Sequence, residues 1–393
     1  MQIAILGRQP KISIAELESL YGSDAITEIN GYAATVNVDY SLPQERLGGS
    51  IKTAKFLTRL ENCNLKDAFD YLQKTVPDHL DSLPEGKMQF GVSVYGFDTS
   101  ARTILKNVLT LKKIIKSAGR SVRIIENKKP DLEAAQVLYN KLTGPLGWEI
   151  LIIKDGSDCL LAQTTGVQNI DDYSKRDFDR PKRDSYVGML PPKLAQIMIN
   201  LAAGSRKPDD SRPPILLDAF CGTGVVLQEA MLMGYFVYGS DINEKMVRYS
   251  RDNLNWLQEQ HRIRSQWNLE IADATSYSWR QPIDAVVSET YLGKPLTSLP
   301  AANKLEQIMN EANEIAERFL KNIAPQLKPD TKLCLALPAW HLTQGEFEHL
   351  GVLDHLSELG YNRLDLKHAS WQDLIYYRKD QVVARELTIL ERI

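Results

Sequence analysis

The sequence predicts an α/β chain, layered in its first half and doubly wound in its second, and three observations in the second half carry most of that prediction. Residues 215–217, Ile-Leu-Leu, are continuously apolar, as a parallel strand covered on both faces requires. Gly222 and Gly224 follow, letting the backbone turn tightly and approach a ligand, before residues 225–230 open a helix. Residues 235–240 then read as a second strand. This places Asp241 at a strand's carboxyl end, where a carboxylate can accept hydrogen bonds from both hydroxyls of a ribose. A lone Gly-x-Gly says little; with a strand before it, a helix after it and an acid 23 positions beyond Asp218, it points to a nucleotide-type cofactor.

The rest of the chain follows the same alternation. Residues 2–6 read as a strand, and Ser13-Ile-Ala-Glu16 as a capping box opening a short helix towards Leu20. Residues 32–38 are a second strand, and residues 51–60, after the Gly48-Gly49 turn, complete a small αβ unit. A second unit has a helix from Leu65, a strand over 88–95, a helix over 102–118, a strand over 122–125, a helix over 132–142 and strands over 149–153 and 159–164. Residues 171–186 are too polar for a core element and read as a linker. It runs into a helix whose first turn holds Pro191 and Pro192, with Leu194, Ile197, Met198 and Leu201 on one face. Residues 204–214 are a polar loop, and no internal repeat or low-complexity tract is present.

The glycine loop departs from the pyrophosphate-binding fingerprint. Gly-x-Gly-x-x-Gly requires glycine at 227, where this chain has Leu227. Asp218, at the tip of the first strand, would repel a phosphate but could hold an amino group.

Length and composition set outer limits. At 393 residues the chain is too long for one ordinary core, so two or three domains are expected, and 43% apolar with 25% charged residues is usual for a globular protein. No apolar run approaches the length needed to cross a bilayer, and the first residues lack the basic head and cleavage site of a signal peptide; a cytoplasmic protein with no membrane partner is expected. Cys63, Cys159, Cys221 and Cys334 lack Cys-x-x-Cys spacing and the six histidines are dispersed, so no metal site is expected. The net charge of −3 hides a local basic stretch, Arg102, Lys106, Lys112, Lys113, Lys116, Arg120, Arg123, Lys128 and Lys129 against Glu126. It could neutralise phosphates, or be the solvated face of a helix.

The Asp218-Ala-Phe-Cys-Gly-Thr-Gly224 loop resembles motif I of the amino-methylating branch of the S-adenosylmethionine-dependent methyltransferases. Together with the two N-terminal units, the Arg176-Asp177…Arg180-Pro181 linker and the Gly188-Met-Leu-Pro-Pro-Lys-Leu-Ala195 helix, it resembles the THUMP-containing tRNA guanosine-N2 methyltransferases of archaeal type over essentially the whole chain. The resemblance implies a ferredoxin-like domain over 1–60, a THUMP-like RNA-binding domain over 61–168, a linker over 169–185 and, over 186–393, a Rossmann-like class I methyltransferase domain with a seven-stranded mixed sheet. It implies S-adenosylmethionine as cofactor, held by Asp218, Phe220, Gly222, Gly224, Asp241, Ile242, Asp273 and Ala274. It implies tRNA as partner, gripped by Arg102, Lys106, Lys112, Lys113, Arg120, Arg123, Lys128 and Lys129 of a monomer. Further strands are expected to end at residues 271–274 and to span 283–288 and 331–337, with an antiparallel hairpin over 374–377 and 382–390.

One loop departs from the family. After the fourth strand the family carries Asp-Pro-Pro-Tyr, whose acid and backbone carbonyl accept hydrogens from the target amine while the ring stacks on the base; here the chain reads Ser288-Glu-Thr-Tyr291. The aromatic is kept as Tyr291, and the carboxylate is displaced by one residue to Glu289. Because a strand reverses side-chain direction at each residue, Glu289 is expected to point away unless the loop bends differently. Positioning carries most of the rate of such a transfer, and an acid beside the amine adds about 10²- to 10⁴-fold as proton acceptor. Glu289 is taken as that acceptor, with Ser288 assisting and Tyr291 as the platform for an extruded base. The alternatives are a DNA amino-methyltransferase and a cofactor- and RNA-binding homologue with an altered, non-catalytic loop. The linker arginines Arg176, Arg180 and Arg183 either meet phosphates or pair with Asp177, Asp179 and Asp184.

Overall fold

The structure, a computed structural model, describes residues 1–184, 190–204, 213–296, 298–343, 346–378 and 381–393. It divides into two compact units, Met1–Ile14 with Asp24–Asp172, and Ala15–Ser23 with Tyr173–Ile393. No helix of the described residues is long and apolar enough to cross a membrane.

The first unit is built on one eight-stranded sheet. Its strands are β1 (Gln2–Leu6), β2 (Ile26–Ile29), β3 (Ala33–Val36), β4 (Ser50–Leu60), β5 (Met88–Tyr95), β6 (Val122–Ile124), β7 (Gly147–Asp155) and β8 (Asp158–Val167), in the order β2-β3-β1-β4-β8-β7-β5-β6. β4 and β8 pair antiparallel from Lys52↔Val167 to Leu60↔Cys159, so residues 1–60 and 61–168, expected as separate domains, share a sheet. They also share a core: Ile3, Ile5 and Ala54 pack in one cluster with Leu151, Ile153 and Leu160. β2, absent from the sequence reading, reaches β3 through Asn30 and Gly31 at φ of 47° and 73°, with Tyr32 N–H bonded to Ile29 O at 3.2 Å. These are the residues and angles of a type I′ hairpin turn.

Four helices that begin in this unit bear on the sequence reading. α1 (Pro10–Tyr21) starts at the proline, earlier than the expected capping box, and Ser13 lies inside it, its hydroxyl donating to Gly49 O at 2.7 Å. α2 (Leu65–Thr75) carries a capping box of Asn64 and Asp67. α3 (Ala101–Ser117), capped by Ser100, buries Ile104, Val108, Leu111 and Ile115 at helical spacing, which leaves Arg102, Lys106, Lys113 and Lys116 exposed on the other side. The expected helix over 132–142 is shorter, α4 (Ala134–Tyr139).

A buried polar knot ties the unit together. Lys52 on β4 donates to Glu149 on β7 at 2.5 Å and to Leu132 O at 2.7 Å, while Ser93 on β5 and Thr164 on β8 donate to the same carboxylate at 2.5 and 2.7 Å. Lys52 and Glu149 are 1% and 0% exposed. Such a pair survives burial because its remaining donors and acceptors are satisfied.

The second unit begins inside the expected linker. α5 (Ile170–Ser174) leads into a π-helical turn, Lys175–Asp179, and Arg176 is buried, donating to Glu229 at 2.6 Å beneath the Tyr173 ring. Arg180 is also buried, and Arg183 stacks on Phe178 at 4.9 Å. The segment packs as structure rather than spanning a gap, and Arg176 pairs with Glu229, not with an acid of its own run. Residues 185–189 and 205–212, parts of the expected linker, helix start and loop, lie outside the described residues. α6 (Pro192–Ala203) buries the four expected apolar residues.

The sheet of this unit holds β9 (Ile215–Asp218), β10 (Phe236–Asp241), β11 (Trp267–Ile271), β12 (Ala285–Glu289), β13 (Lys332–Thr343), β14 (Glu346–Glu348), β15 (Tyr361–Arg363), β16 (Ile375–Tyr376) and β17 (Val383–Arg392). The main path is β11-β10-β9-β12-β13-β17-β15, with β14 on β13 and β16 on β17; against the seven strands expected the described residues form nine, β15 being unexpected and the strand expected over 374–377 reduced to β16. The first five are mutually parallel and β17 is antiparallel, the mixed arrangement expected. β13 runs six residues past its expected end. Its helices are α6, α7 (Val225–Leu232), α8 (Glu244–His261) and α9 (Ala302–Ile323), and α9 contributes Ala312, Ala316, Phe319 and Leu320 to the main core.

Lys52→Met should lower the unfolding free energy by about 3–5 kcal/mol, because it strands Glu149 in the interior; Lys52→Met with Glu149→Leu should recover most of that loss. Denaturant midpoints of the three proteins measure both effects.

Candidate active site

β9 is where the sheet order turns: β10 lies on one side of it and β12 on the other. The crevice outside the carboxyl ends of such strands is where ligands bind in open α/β sheets. A cavity of about 1150 Å³ opens there, somewhat above the roughly 300–1,000 Å³ of small-molecule sites, so it has room for a nucleoside beside a second ring.

The loop from β9 to α7 is held by its neighbours. Gly222 and Gly224 have φ of 50° and 83°, and a Cβ at 224 would come within 2.9 Å of Ser250 Oγ. Gly222 N–H donates to Asp241 Oδ2 at 2.9 Å, and Asn243 N–H to Asp241 Oδ1 at 2.8 Å. Each oxygen of that carboxylate is thereby fixed by one backbone donor and keeps lone-pair capacity for a ligand. From α8, Ser250 Oγ donates to Gly222 O at 2.8 Å and Asn253 to Thr223 O at 2.8 Å. Four more loop amides are used internally: Ala219 N–H donates to Ser288 Oγ, Phe220 N–H to Asp218, Cys221 N–H to Ser240 O and Gly224 N–H to Cys221 O. A phosphate-cradling loop aims such donors at its ligand; here these amides hold the loop itself.

The cavity wall is acidic. Asp218, Asp241, Asp273 and Glu289 all line it, with Lys294 and Arg318 as cations. Burial pushes the Asp218 carboxyl up to about 8, and the nearby charges of Asp241 and Glu289 add to this against hydrogen bonds from Ser288 and Phe220 N–H. Burial also raises Asp241, against its two backbone donors. Asp273 is held below the usual range by the Thr275 hydroxyl and N–H, at 2.7 and 2.9 Å. Burial, with Asp218 and Asp241 close by, raises the Cys221 thiol well above its ordinary value. Buried carboxylates of this kind suit a cationic ligand.

Of the residues singled out in the sequence, Asp218, Phe220, Gly222, Asp241, Ile242, Asp273, Ala274, Glu289 and Tyr291 line the one cavity, and Gly224 shapes its loop from behind. Ile242 is 70% exposed, an apolar side chain laid open beside Asp241. Glu289 does not point away from the site. Pairing continues past β12, with Thr290 N–H bonded to Ala336 O at 3.1 Å, and the alternation holds; the longer glutamate side chain reaches the cavity from its own side, where Arg385 Nε donates to it. Ser288, expected as an assisting group at the amine, is instead fully buried and absent from the cavity wall. Its hydroxyl is engaged by Ala219 N–H at 2.9 Å and by Asp218.

The sequence reading missed Asp184, Leu190, Thr223, Asn243, Thr290, Lys294 and Arg318. Asn243 could have been found as the N-cap of α8, which its bond from Lys245 N–H at 2.9 Å confirms. Asp184 and Arg318 are carried in by packing, with no local signal. In the first unit, Arg102, Lys106, Lys112 and Lys113 share α3, whereas Arg120 bonds Pro84 O, Arg123 lies on β6, and Lys129 pairs with Glu133 at 2.9 Å.

Comparison with known proteins agrees with this geometry. The family described as RMKL-like, methyltransferase domain, matches residues 180–336, the stretch from the end of the π-helical turn into β13. The tRNA (guanine(10)-N2)-dimethyltransferase of Methanothermobacter thermautotrophicus is 33% identical over 156 residues, 39% of this chain and 40% of that protein. A probable enzyme of the same name from Methanothermococcus thermolithotrophicus is 31% identical over 131 residues, 32% of this chain and 74% of that protein. This chain thus spans 40% and 46% of the lengths of two curated relatives, the Methanothermobacter protein and its Pyrococcus abyssi counterpart. The crystal structure of TrmN from Thermus thermophilus has the same fold, with a TM-score of 0.53 at 17% identity over 100% of this chain and 99% of that one. The chain belongs to the same family as these tRNA (guanine(10)-N2)-dimethyltransferases.

Proposed function

We propose that this protein is an S-adenosylmethionine-dependent methyltransferase that modifies the exocyclic N2 amine of a guanine in tRNA. The observation that carries the reading is the meeting, in one cavity, of a ribose-type acid fixed by the glycine turn, Asp241, with a carboxylate and an aromatic from the loop after β12, Glu289 and Tyr291. The names of the relatives supply the substrate class.

Asp241 accepts the two ribose hydroxyls; Asp218 takes the cofactor's ammonium; Ile242, Asp273 and Ala274 border the adenine; Phe220, held edge-on against Phe319 at 5.1 Å, closes the floor. The bound cofactor supplies an electrophilic methyl on sulfur. A guanine amine donates its lone pair into the ring and is a poor nucleophile while planar. Glu289 accepts its hydrogens, frees the pair to point at the methyl, and offers a place for the proton that the amine loses. Tyr291 stacks on the extruded base and offsets part of the cost of unstacking, a few kcal/mol. In the first unit, the exposed basic face of α3 meets tRNA phosphates, with Arg120, Arg123, Lys128 and Lys129 beyond it, so residues 1–168 take the RNA-gripping part that a ferredoxin-like and THUMP-like pair has in the family. A cytoplasmic monomer belongs to the same proposal.

Labelled methyl from S-adenosylmethionine should enter tRNA at guanine N2 and not enter DNA; label in DNA alone would replace this reading with a DNA amino-methyltransferase. Tyr291→Ala should lower kcat/KM for tRNA by about 5- to 150-fold, the worth of a stacking contact of about 1–3 kcal/mol, with cofactor affinity unchanged. Asp218 gives a pH signature. In the free protein its carboxyl keeps a proton up to about pH 8, and a ligand ammonium favours the ionised form. S-adenosylhomocysteine should therefore bind more tightly as pH rises from 6 towards 8 and release a proton at pH 7, measurable by calorimetry in buffers of different ionisation enthalpy. Asp218→Asn should abolish both effects.

A further inference from the structure

We propose that Arg385 is a positioning residue of the transfer reaction, which orients Glu289 and keeps it a carboxylate so that it can accept the hydrogens of the target amine; this rests on the function proposed above. In the family's Asp-Pro-Pro-Tyr loop a short acid stands at the position of Ser288, whereas here a longer side chain comes from the next residue. Glutamate has one more rotatable bond than aspartate, and a group held loosely loses much of the advantage of proximity. Arg385 removes that freedom. It sits on β17 opposite Pro338, is 6% exposed, and donates through Nε to Glu289 Oε1 from outside the cavity lining, to which Glu289 itself belongs, leaving Oε2 for another donor.

The pairing is exclusive because strand alternation separates two ion pairs. Glu386, the next residue of β17, faces the opposite side of the sheet, where it accepts from Arg363 at 2.7 Å and contacts His349. Arg385 is thereby left to Glu289 alone among these acids. The charged groups that face Glu289 are Arg385 from β17 and Asp218 from β9. Burial raises the Glu289 carboxyl above its ordinary value, and Arg385 opposes that rise by its charge and its hydrogen bond. Without the guanidinium, Glu289 becomes a neutral acid that keeps its own proton and has less capacity to accept one from nitrogen.

The test measures single-turnover methyl transfer to tRNA against pH for the full-length wild type, Arg385→Met, Arg385→Lys, Glu289→Gln and the Glu289→Gln/Arg385→Met double variant, with S-adenosylhomocysteine affinity as a check on the fold. Wild type that binds cofactor but transfers no methyl to tRNA defeats the functional reading itself. Given transfer, Arg385→Met should slow it about 10²-fold at pH 7 and move the acid limb of the profile to higher pH, so that part of the rate returns in alkaline buffer. Arg385→Lys should keep the limb near its wild-type place with a smaller loss, and it carries the test if the methionine variant does not fold. The double variant should be no slower than Glu289→Gln, as for residues acting through one another. A loss from Arg385→Met that is equal at every pH, a limb that moves in Arg385→Lys as far as in Arg385→Met, or additive losses in the double variant would overturn the proposal.

Discussion

The reversal of strand order at β9, with parallel β10 on one side and parallel β12 on the other, imposes the constraint on which the site depends. Where β10 and β12 part, the chain must close a gap in which backbone N–H groups have no ladder partner, and buried amides demand one. Here they find it sideways: Ala219 bonds to Ser288 on β12, Cys221 to Ser240 on β10 and Gly222 to Asp241. The loop is therefore stitched to both flanking strands, and the acids at the ends of those strands inherit its rigidity. Asp241 is a ligand-ready carboxylate because it also does this structural work.

The same geometry distinguishes the cavity from a dinucleotide site. Five of the loop's amides serve the protein rather than a ligand, and a wall holding Asp218, Asp241, Asp273 and Glu289 is unfavourable to a pyrophosphate. These four acids, which share the cavity with Asp184, are tolerated because they are not equivalent. Asp273 is eased by Thr275, Asp241 by two amides and Glu289 by Arg385, while Asp218, the most enclosed, is the one left holding a proton near neutrality.

Much of this was legible in the sequence where one residue type has one physical use. The apolar run at 215–217, the glycines at 222 and 224 and the acid at 241 each demand a strand, a left-handed turn and a strand end, and these elements stand where they were expected. β2 was equally legible in Asn30-Gly31 and was passed over because its four residues lack a clear apolar alternation. What could not be read was pairing across long separations. Lys52 with Glu149, Arg176 with Glu229 and Arg385 with Glu289 are 97, 53 and 96 residues apart. The first ties β4 to β7, strands of the two expected domains, the second turns a polar linker into packed structure, and the third gives the displaced acid a partner. Ser288 misled for the opposite reason: a polar residue in a motif position can serve the backbone beneath a site as readily as the substrate above it.

Cys221 sits in the turn itself, on the surface of a cavity suited to an alkylating ligand, and a thiolate is a far better nucleophile than an aromatic amine. Its enclosure and its two acidic neighbours raise the thiol well above its ordinary value, and Ser250 Oγ donates to the sulfur from α8. Under the proposed reaction, the acidic wall that favours a sulfonium also disfavours a thiolate, so a soft side chain fills the turn in its unreactive form.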